Sequence, residues 1–335
     1  MRYILLLLVV SISFLTKLEA QSNYGITAFG TNRITARQIK EEYSTELEVL
    51  LKQYYENRAE FRIQKLTLEE KLNEGQYFSY VHIDLFKSYT DKIDFIIDFV
   101  ENDESEVRMA YRKVESKELK DPDHVIKKWI AYSIASKKLF DNGEIKDINC
   151  PVVHCTWSFN HPELTPFLTY FENNVPKNTS ALKEILFYSN SAEYREAAAY
   201  LLAHAKLEIQ SLVSTLEPTI DDPSSLVRNA GMRVIYYAVR ADNELKIPLD
   251  KVITALNYPS FTDRNKALVI LRSLPKSRFS REQLKKFLPI LFEILQKKDA
   301  HNYRNAHTVL KNISGKDFSD TDIDKWEEWI KAVIY

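Results

Sequence analysis

The sequence predicts a mainly α protein: an α-solenoid of helical hairpins, preceded by a small N-terminal α+β region that contains an antiparallel β-hairpin. Two observations predict this fold. In the second half of the chain a short sequence pattern is repeated, in which a turn-forming polar residue is followed by an arginine and then by small apolar residues at helical spacing. Between residues 77 and 99 the apolar residues instead alternate with polar ones, which is the period of a β-strand.

The repeated pattern occupies residues 190–306. Its arginines lie 33, 36 and 40 residues apart, a spacing typical of stacked helical hairpins: Arg195, Arg228, Arg264 and Arg304. The apolar residues around each arginine lie along one helix face. Another apolar helix is expected before each of these, over residues 182–188, 207–216, 249–257 and 284–295. The repeating unit is therefore a pair of helices.

The turn residues at the start of the second helices carry a family resemblance. Asp222 followed by Pro223 predicts a helix start, with Asp as the N-cap and Pro at the first helical position. Asp299 takes the corresponding place in the last copy. These copies resemble HEAT and HEAT-like repeats, whose second helix typically opens with Asp and carries an Arg a few residues later. The resemblance implies a structural ladder between adjacent repeats for these aspartates and for the four arginines; the alternative is arginines that face a ligand.

The end of the chain, with Trp326 and Trp329 on a final helix, resembles the terminal segment of bacterial proteins with such repeats. These tryptophans are expected to seal the last repeat, because a terminal unit needs a cap. We therefore assign residues 161–335 to a repeat solenoid with a C-terminal capping helix, and residues 21–160 to an N-terminal α+β domain.

The first twenty residues have the pattern of a secretory signal. Arg2 precedes an apolar run over residues 4–15 that is shorter than the roughly 20 residues of a membrane span. The run ends in a small-residue cleavage pattern at Ala20. We expect cleavage there and export to the periplasm or the medium, with no transmembrane segment afterwards; an uncleaved anchor is the alternative.

In the N-terminal domain the spacing of the apolar residues changes from that of a helix to that of a β-strand. Residues 23–74 are predicted to form one long helix or a hairpin of two helices, and residues 77–99 a β-hairpin with its turn at 88–91. Four polar residues could share one face of that hairpin: His82, Asp84, Asp94 and Asp98. Such a face could bind a metal or perform acid–base chemistry, but it is also the solvated side that an antiparallel pair normally has.

The two cysteines of the chain, Cys150 and Cys155, stand in a block with His154 and His161. A disulfide is expected in an exported protein; two separate thiols, or a Cys/His metal site using His154 and His161, are the alternatives. This block, the β-hairpin and the helix around Trp129 resemble exported bacterial HEAT-repeat proteins. The resemblance implies a helical-repeat architecture and export. It implies no activity.

Charge is balanced overall but uneven along the chain. The formal net charge is −1, yet residues 263–316 hold 13 Lys and Arg against 4 Asp and Glu. This excess could bind a polyanion, or it could lie on solvated helix faces. The candidate polyanion-binding residues are Arg272, Lys276, Arg278, Arg281, Lys285 and Lys286.

Motifs of catalysis are missing from the sequence. The six glycines form no phosphate-binding loop, and neither a G-x-S-x-G turn nor an H-E-x-x-H helix occurs. We therefore expect no cofactor and favour a non-enzymatic module that binds a protein or peptide on the solenoid surface. The alternatives are a ligand-binding or enzymatic site at the junction of the hairpin domain and the first repeats, around His154, His161 and Asp84, or polyanion binding; nucleic acid is not favoured.

Overall fold

A computed structural model describes residues 24–87, 92–147 and 150–335. In this part of the chain the protein is mainly helical and carries a small three-stranded mixed sheet, which confirms the predicted fold class in this coarse form. The signal peptide predicted for residues 1–20 and the turn predicted for 88–91 lie outside the described residues. No helix within the described ranges is long and apolar enough to span a membrane.

The sheet consists of β1 (Tyr24–Phe29), β2 (Phe78–Lys87) and β3 (Ile93–Glu101), in the order β1-β3-β2. β2 and β3 pair antiparallel, as the alternating pattern predicts, and Ile83 lies opposite Ile97. β1 pairs with β3 in the parallel sense. Parallel neighbours need a long connection, and the segment between β1 and β3 supplies it.

Strand β1 corrects the helical prediction for residues 23–74, which is wrong at its start. The strand is only six residues long and is buried at both ends, with Tyr24 4% and Phe29 0% exposed. A short buried strand shows no clear alternation, so periodicity cannot distinguish it from a helix. Gly30 follows the strand at a φ of +84°, a left-handed conformation that glycine adopts without strain.

Three helices follow β1: α1 (Ala36–Glu42), α2 (Ser44–Glu56) and α3 (Arg58–Leu72). Asn57 separates α2 from α3, because its side chain accepts hydrogen bonds from the backbone N–H groups of Ala59 and Glu60 and so caps α3. The predicted helical segment is therefore divided into several helices. Together with one face of the sheet they bury a small core that includes Ile39, Leu47, Leu50 and Leu68.

The rest of the chain is helical. Three helices come first: α4 (Ser105–Arg108), α5 (Val125–Asp141) and α6 (Thr165–Asn174). Four consecutive pairs follow: α7 (Thr179–Tyr188) with α8 (Ala192–Leu201), α9 (Ile209–Leu216) with α10 (Ser225–Ala241), α11 (Leu249–Ala255) with α12 (Phe261–Leu271), and α13 (Arg281–Gln296) with α14 (Tyr303–Ser314). The last helix is α15 (Ile323–Ile334). These pairs overlap the predicted ones.

One large hydrophobic core joins Phe29 of β1, helices α5 and α6 and the helix pairs, and it extends to Ile330 of α15. Helix α5 and the loop that carries Cys155, which the sequence assigns to the N-terminal domain, contribute to this core. The division of the chain at residue 160 stays a prediction. At the far end, Trp326 of α15 is fully buried and its indole N–H donates to the carbonyl of Ser319 at 2.9 Å.

Buried arginine–aspartate pairs connect each second helix to the next, and we call this series the Arg–Asp ladder. Arg195 of α8 donates two hydrogen bonds to Asp222, at 2.8 and 2.9 Å. Arg228 of α10 pairs with Asp263 at 2.7 Å. Arg264 of α12 pairs with Asp299 at 2.8 Å. All three aspartates are fully buried, so each pair is held away from water.

Two details of the ladder differ from the sequence predictions. Helix α10 begins at Ser225 with Ser224 as N-cap, so the prediction that Asp222 and Pro223 open the helix is wrong. Asp222 instead accepts from Arg195, Arg112 and the N–H of Ser224. Arg304 lies outside the ladder: it is exposed, its Nε donates to the hydroxyl of Tyr303 at 3.0 Å, and it has no carboxylate partner among the described residues.

The sheet is tied to the helices by two buried arginines. Asp98 of β3 is fully buried and pairs with Arg264 at 2.5 Å, so this arginine lies between Asp98 and Asp299. The Arg264 guanidinium also lies 4.0 Å from the ring centre of Phe29 in β1. Arg108 donates to the carbonyls of Phe99 and Asn257, at 2.5 and 3.1 Å. The ladder therefore extends into the β-sheet.

An aromatic cluster lies where α5 and α6 meet α8, and His204 is buried within it. The imidazole contacts the rings of Phe171, Phe159 and Trp129, with centroids 5.4, 5.6 and 6.3 Å away. It is 3% exposed, and neither ring nitrogen has a hydrogen-bond partner. Burial lowers the pKa of His204 to about 4, so the ring is neutral at pH 7.

Stability should therefore fall in acid through His204. Between about pH 6.5 and pH 4 the unfolded chain binds a proton at this residue that the folded chain excludes. The free energy of unfolding should decrease over this window by up to about 1.4 kcal/mol per pH unit from this residue alone. His204→Phe, which keeps an aromatic ring and cannot titrate, is expected to flatten the pH dependence measured by urea denaturation. An unchanged slope would contradict the neutral, buried assignment.

Candidate ligand-binding cavity

A disulfide between Cys150 and Cys155 closes the loop between α5 and α6, which confirms the predicted bond. Cys155 is fully buried, and the hydroxyl of Tyr132 donates to its carbonyl at 2.7 Å. The loop is therefore anchored to α5 from within the core. The bond also leaves no free thiol for a metal or a nucleophile, because these are the two cysteines of the chain.

The anchored loop places His154 against helix α10. Its ring stacks on Tyr237 with the centroids 4.3 Å apart and an interplanar angle of 11°. The side chain is 2% exposed, and neither ring nitrogen has a hydrogen-bond partner. Burial, with the nearby positive charges of Arg233 and Lys266, lowers the pKa of His154 to about 3. His154 is thus a neutral imidazole beside two cations.

His161 has a different role from His154. Its Nδ1 accepts from the backbone N–H of Glu163 at 3.3 Å and caps the turn before α6, and its Nε2 lies 3.9 Å from Glu144. The two histidines share no partner. Within the described residues no group of three or more His, Cys, Asp or Glu is placed to hold a metal ion. The structure does not build a site from His154 and His161 together.

A cavity of about 460 Å³ opens between α5, α8 and α10, and we call it the Arg233 cavity. Small-molecule and side-chain pockets in proteins fall in this size range. Its aromatic and aliphatic wall comes from α5, α8 and the disulfide loop: Trp129, Ile130, Ile134, Trp157 and Tyr200. Ile134 at the rim is 67% exposed. An apolar group could therefore enter the cavity and bury its surface there.

The polar wall of the Arg233 cavity carries charges of both signs. Glu193 and Glu196 of α8 contribute carboxylates, Asn229 and Arg233 of α10 also line the cavity, and Lys137 of α5 adds a cation that pairs with Asp141. Burial, followed by repulsion from Glu193, raises the pKa of Glu196. The charge of Arg233 acts on Glu196, yet the two form no ion pair within the described residues. Glu196 and Arg233 therefore line the same cavity without forming an ion pair with each other.

A second cavity, of about 360 Å³, lies at the junction of the sheet with α10 and α12, where the sequence allowed an alternative site. His82 and Asp84 of β2 line it, and His82 also contacts Glu69 at 3.1 Å. Hydrogen bonds to Asp84 and Glu69 overcome burial and raise the pKa of His82 to about 9. His82 is therefore a paired cation, which makes it a poor general base near neutral pH.

The other two acids of the hairpin do not join His82 in one site. Asp94 pairs with Lys92 at 3.1 Å. Asp98 is buried against Arg264, as described above. The four predicted residues therefore lie in three separate ion-paired groups: His82 with Asp84 and Glu69, Asp94 with Lys92, and Asp98 with Arg264.

The six candidate polyanion-binding residues also have separate environments. Arg272 donates to Asn305 at 2.7 Å on the side of the second helices. Arg278 donates to the carbonyls of Asn243 and Leu245, and Lys285 lies 3.8 Å from Glu282. Lys276, Arg281 and Lys286 are exposed. Arg278 is thus occupied by the protein's own carbonyls, and the six do not form one uniform set of free cations.

None of the site residues predicted from the sequence lines the Arg233 cavity, and Arg233 is among the residues that sequence reasoning missed. It lies five residues after Arg228, on the same helix as a ladder arginine, and no motif marks it. The one available signal was that the fifth residue after the repeat arginine is charged in this copy and is Tyr, Val or Val in the others.

Compared with known proteins, the chain matches no protein-family model, no curated protein and no solved structure.

Proposed function

We propose that this protein is an exported, non-enzymatic α-solenoid of HEAT-like repeats that binds a protein or peptide partner through the side of its second helices. The supporting architecture is the series of four helix pairs with the Arg–Asp ladder between α8, α10, α12 and α14. Ladders of this kind are what the HEAT resemblance implies. Stacked pairs of this kind offer an extended surface for a partner.

The observation that carries the proposal is the Arg233 cavity. It combines an exposed apolar rim at Ile134, aromatic walls and charged groups that the protein leaves without ion-pair partners among its described residues. Partner sites characteristically have an aromatic or aliphatic anchor pocket surrounded by polar groups. The disulfide supports export, because such bonds persist in oxidising compartments.

Site-specific photo-crosslinking tests the proposal. A benzophenone amino acid at Ile134, on the cavity rim, should capture a discrete partner in extracts of the source cells. The same group at Glu282, an exposed position on the first helix α13 whose side chain is 78% accessible, is the matched control and should capture none. Capture from Glu282 alone would place the partner on the opposite side and contradict the proposal.

A further inference from the structure

Helix α3 of the N-terminal region carries apolar residues on two opposite sides. Its inner side buries Leu68 and Leu72 in the small core. Ile63 and Leu66 lie on the outer side, three residues apart and therefore on one face, and they are 58% and 59% exposed. No other two of the exposed large apolar side chains in the described part of the chain are three or four residues apart. Apolar side chains scattered singly need no explanation, whereas a pair on one helix face is a candidate contact surface.

The charged side chains of α3 single out two further residues. Five of the seven have a contact with another side chain: Lys65 with Glu69, Lys71 with Glu46, Arg58 over the ring of Tyr54, and Glu60 with Gln64. The other two are Arg62 and Glu70. Both are exposed, and neither side chain has a hydrogen bond or an ion pair among the described residues. The helix therefore presents two free charges of opposite sign, one on each side of the apolar pair.

These two charges are placed symmetrically about Leu66. Arg62 lies four residues before Leu66, and Glu70 lies four residues after it. Eight residues span about 12 Å along a helix axis, so the two charges cannot pair with each other on the same helix. A second α3 that lies antiparallel across a two-fold axis at Leu66 would place Arg62 of each copy opposite Glu70 of the other. A parallel arrangement would instead place like charges opposite each other.

We propose that the outer face of α3 binds a second copy of this chain, with the two α3 helices antiparallel. Leu66 lies at the two-fold axis, Ile63 packs beside it, and Arg62 pairs with Glu70 at both ends. Such a contact is isologous, because both copies contribute the same surface. The inference does not rest on the proposed function, since no residue of α3 lines the Arg233 cavity.

The expected dimer is weak. Two helices of 15 residues bury less surface than a standard protein interface does. Sedimentation equilibrium of the protein, purified after expression of the full chain, should show reversible dimerisation with a dissociation constant of roughly 10 µM to 1 mM. Higher salt should weaken the association, because exposed ion pairs are screened.

Leu66→Asp tests the apolar centre of the contact. It should abolish the dimer, because two carboxylates would then meet at the two-fold axis. It should leave the circular dichroism spectrum unchanged, since Leu66 is exposed in the single chain. Val107→Asp is the matched control: Val107 is 66% exposed on α4, and this variant should dimerise as wild type does.

Charge reversals test the orientation of the helices. Arg62→Glu and Glu70→Arg each place like charges opposite each other and should weaken the dimer by at least about tenfold. The double variant with both reversals should recover wild-type association. An equimolar mixture of the two single variants should form heterodimers in preference to either homodimer, because all four facing charges are then of opposite sign. Arg281→Glu, at an exposed arginine of α13, is the charge control and should have no effect.

Three results would overturn the inference. The first is a monomeric mass at chain concentrations up to about 1 mM. The second is a dimer that Leu66→Asp leaves intact, which would place the contact on another surface. The third is failure of the double reversal to restore the dimer, which would exclude the antiparallel arrangement. None of these results affects crosslinking at Ile134, so failure of this inference is distinguishable from failure of the proposed function.

Discussion

Replacing Arg264 by alanine is expected to lower the free energy of unfolding by about 3–5 kcal/mol. Arg264 is fully buried between Asp98 and Asp299, and removing it leaves two buried carboxylates without their counter-ion. Burial, with repulsion from Asp299 and Asp84, raises the pKa of Asp98 to about 6 even with Arg264 present. Urea denaturation followed by circular dichroism at pH 7 measures the loss.

The sequence offers a matched control at the equivalent position of the last helix pair. Arg304 is the arginine of the same repeated pattern, but it is exposed and has no carboxylate partner among the described residues. Arg304→Ala should leave the free energy of unfolding close to that of the wild type, because substitutions at exposed positions have small effects. Equal losses for the two variants would contradict the assignment of Arg264 to a buried network.

A double mutant separates the ion pair from general packing. If Arg264→Ala destabilises because it isolates charges, then Asp98→Ala in the same chain should recover part of the loss. The two effects should fall short of additivity by about 0.5–3 kcal/mol. Strict additivity would show that Asp98 and Arg264 act independently.

Trp326→Ala should cost about 3–5 kcal/mol, a typical value for removing a large buried aromatic side chain. Trp326 is fully buried and contacts the rings of Phe318, His307 and Trp329. The substitution leaves a cavity under α15 and also deprives the carbonyl of Ser319 of its donor. The loss is measured by urea denaturation.

Trp329→Ala is the control, because Trp329 stands one turn later on α15 and is only half-buried. We expect it to cost clearly less than Trp326→Ala. Hydrogen exchange adds a second readout: if α15 covers the end of the preceding pair, amides of α14 should lose protection in Trp326→Ala. Unchanged protection there would mean that α15 packs without covering α14.

The helix pairs could be predicted from the sequence because their signal is local. Each pair carries its own apolar periodicity and its own arginine within about 40 residues. The partners of those arginines could not all be predicted. Asp263 is 35 residues from Arg228, and Asp98 is 166 residues from Arg264. Pairing over such distances depends on how elements pack, which no local pattern records.

Local chemistry also misled at two places. Asp222 and Pro223 have the composition of a helix start, but the carboxylate of Asp222 is taken by Arg195 and Arg112, and the helix begins later. Strand β1 is too short and too buried to alternate. The Arg233 cavity could not be predicted from the sequence either. Its walls come from four separate segments, and the residues of each segment form no recognisable motif.

The contact between Asp98 and Arg264 bears on how the polypeptide folds as it leaves the ribosome. The β-strand with Asp98 emerges long before the helix with Arg264, and its buried carboxylate has no counter-charge until some 166 further residues have followed. If the sheet forms early, the Asp98 carboxylate stays solvated or protonated until the helix that carries Arg264 has been made. Docking of the sheet onto that helix is therefore a late, non-local event. In the exported protein that we propose, this late docking leaves time for translocation before the sheet and the helices are joined.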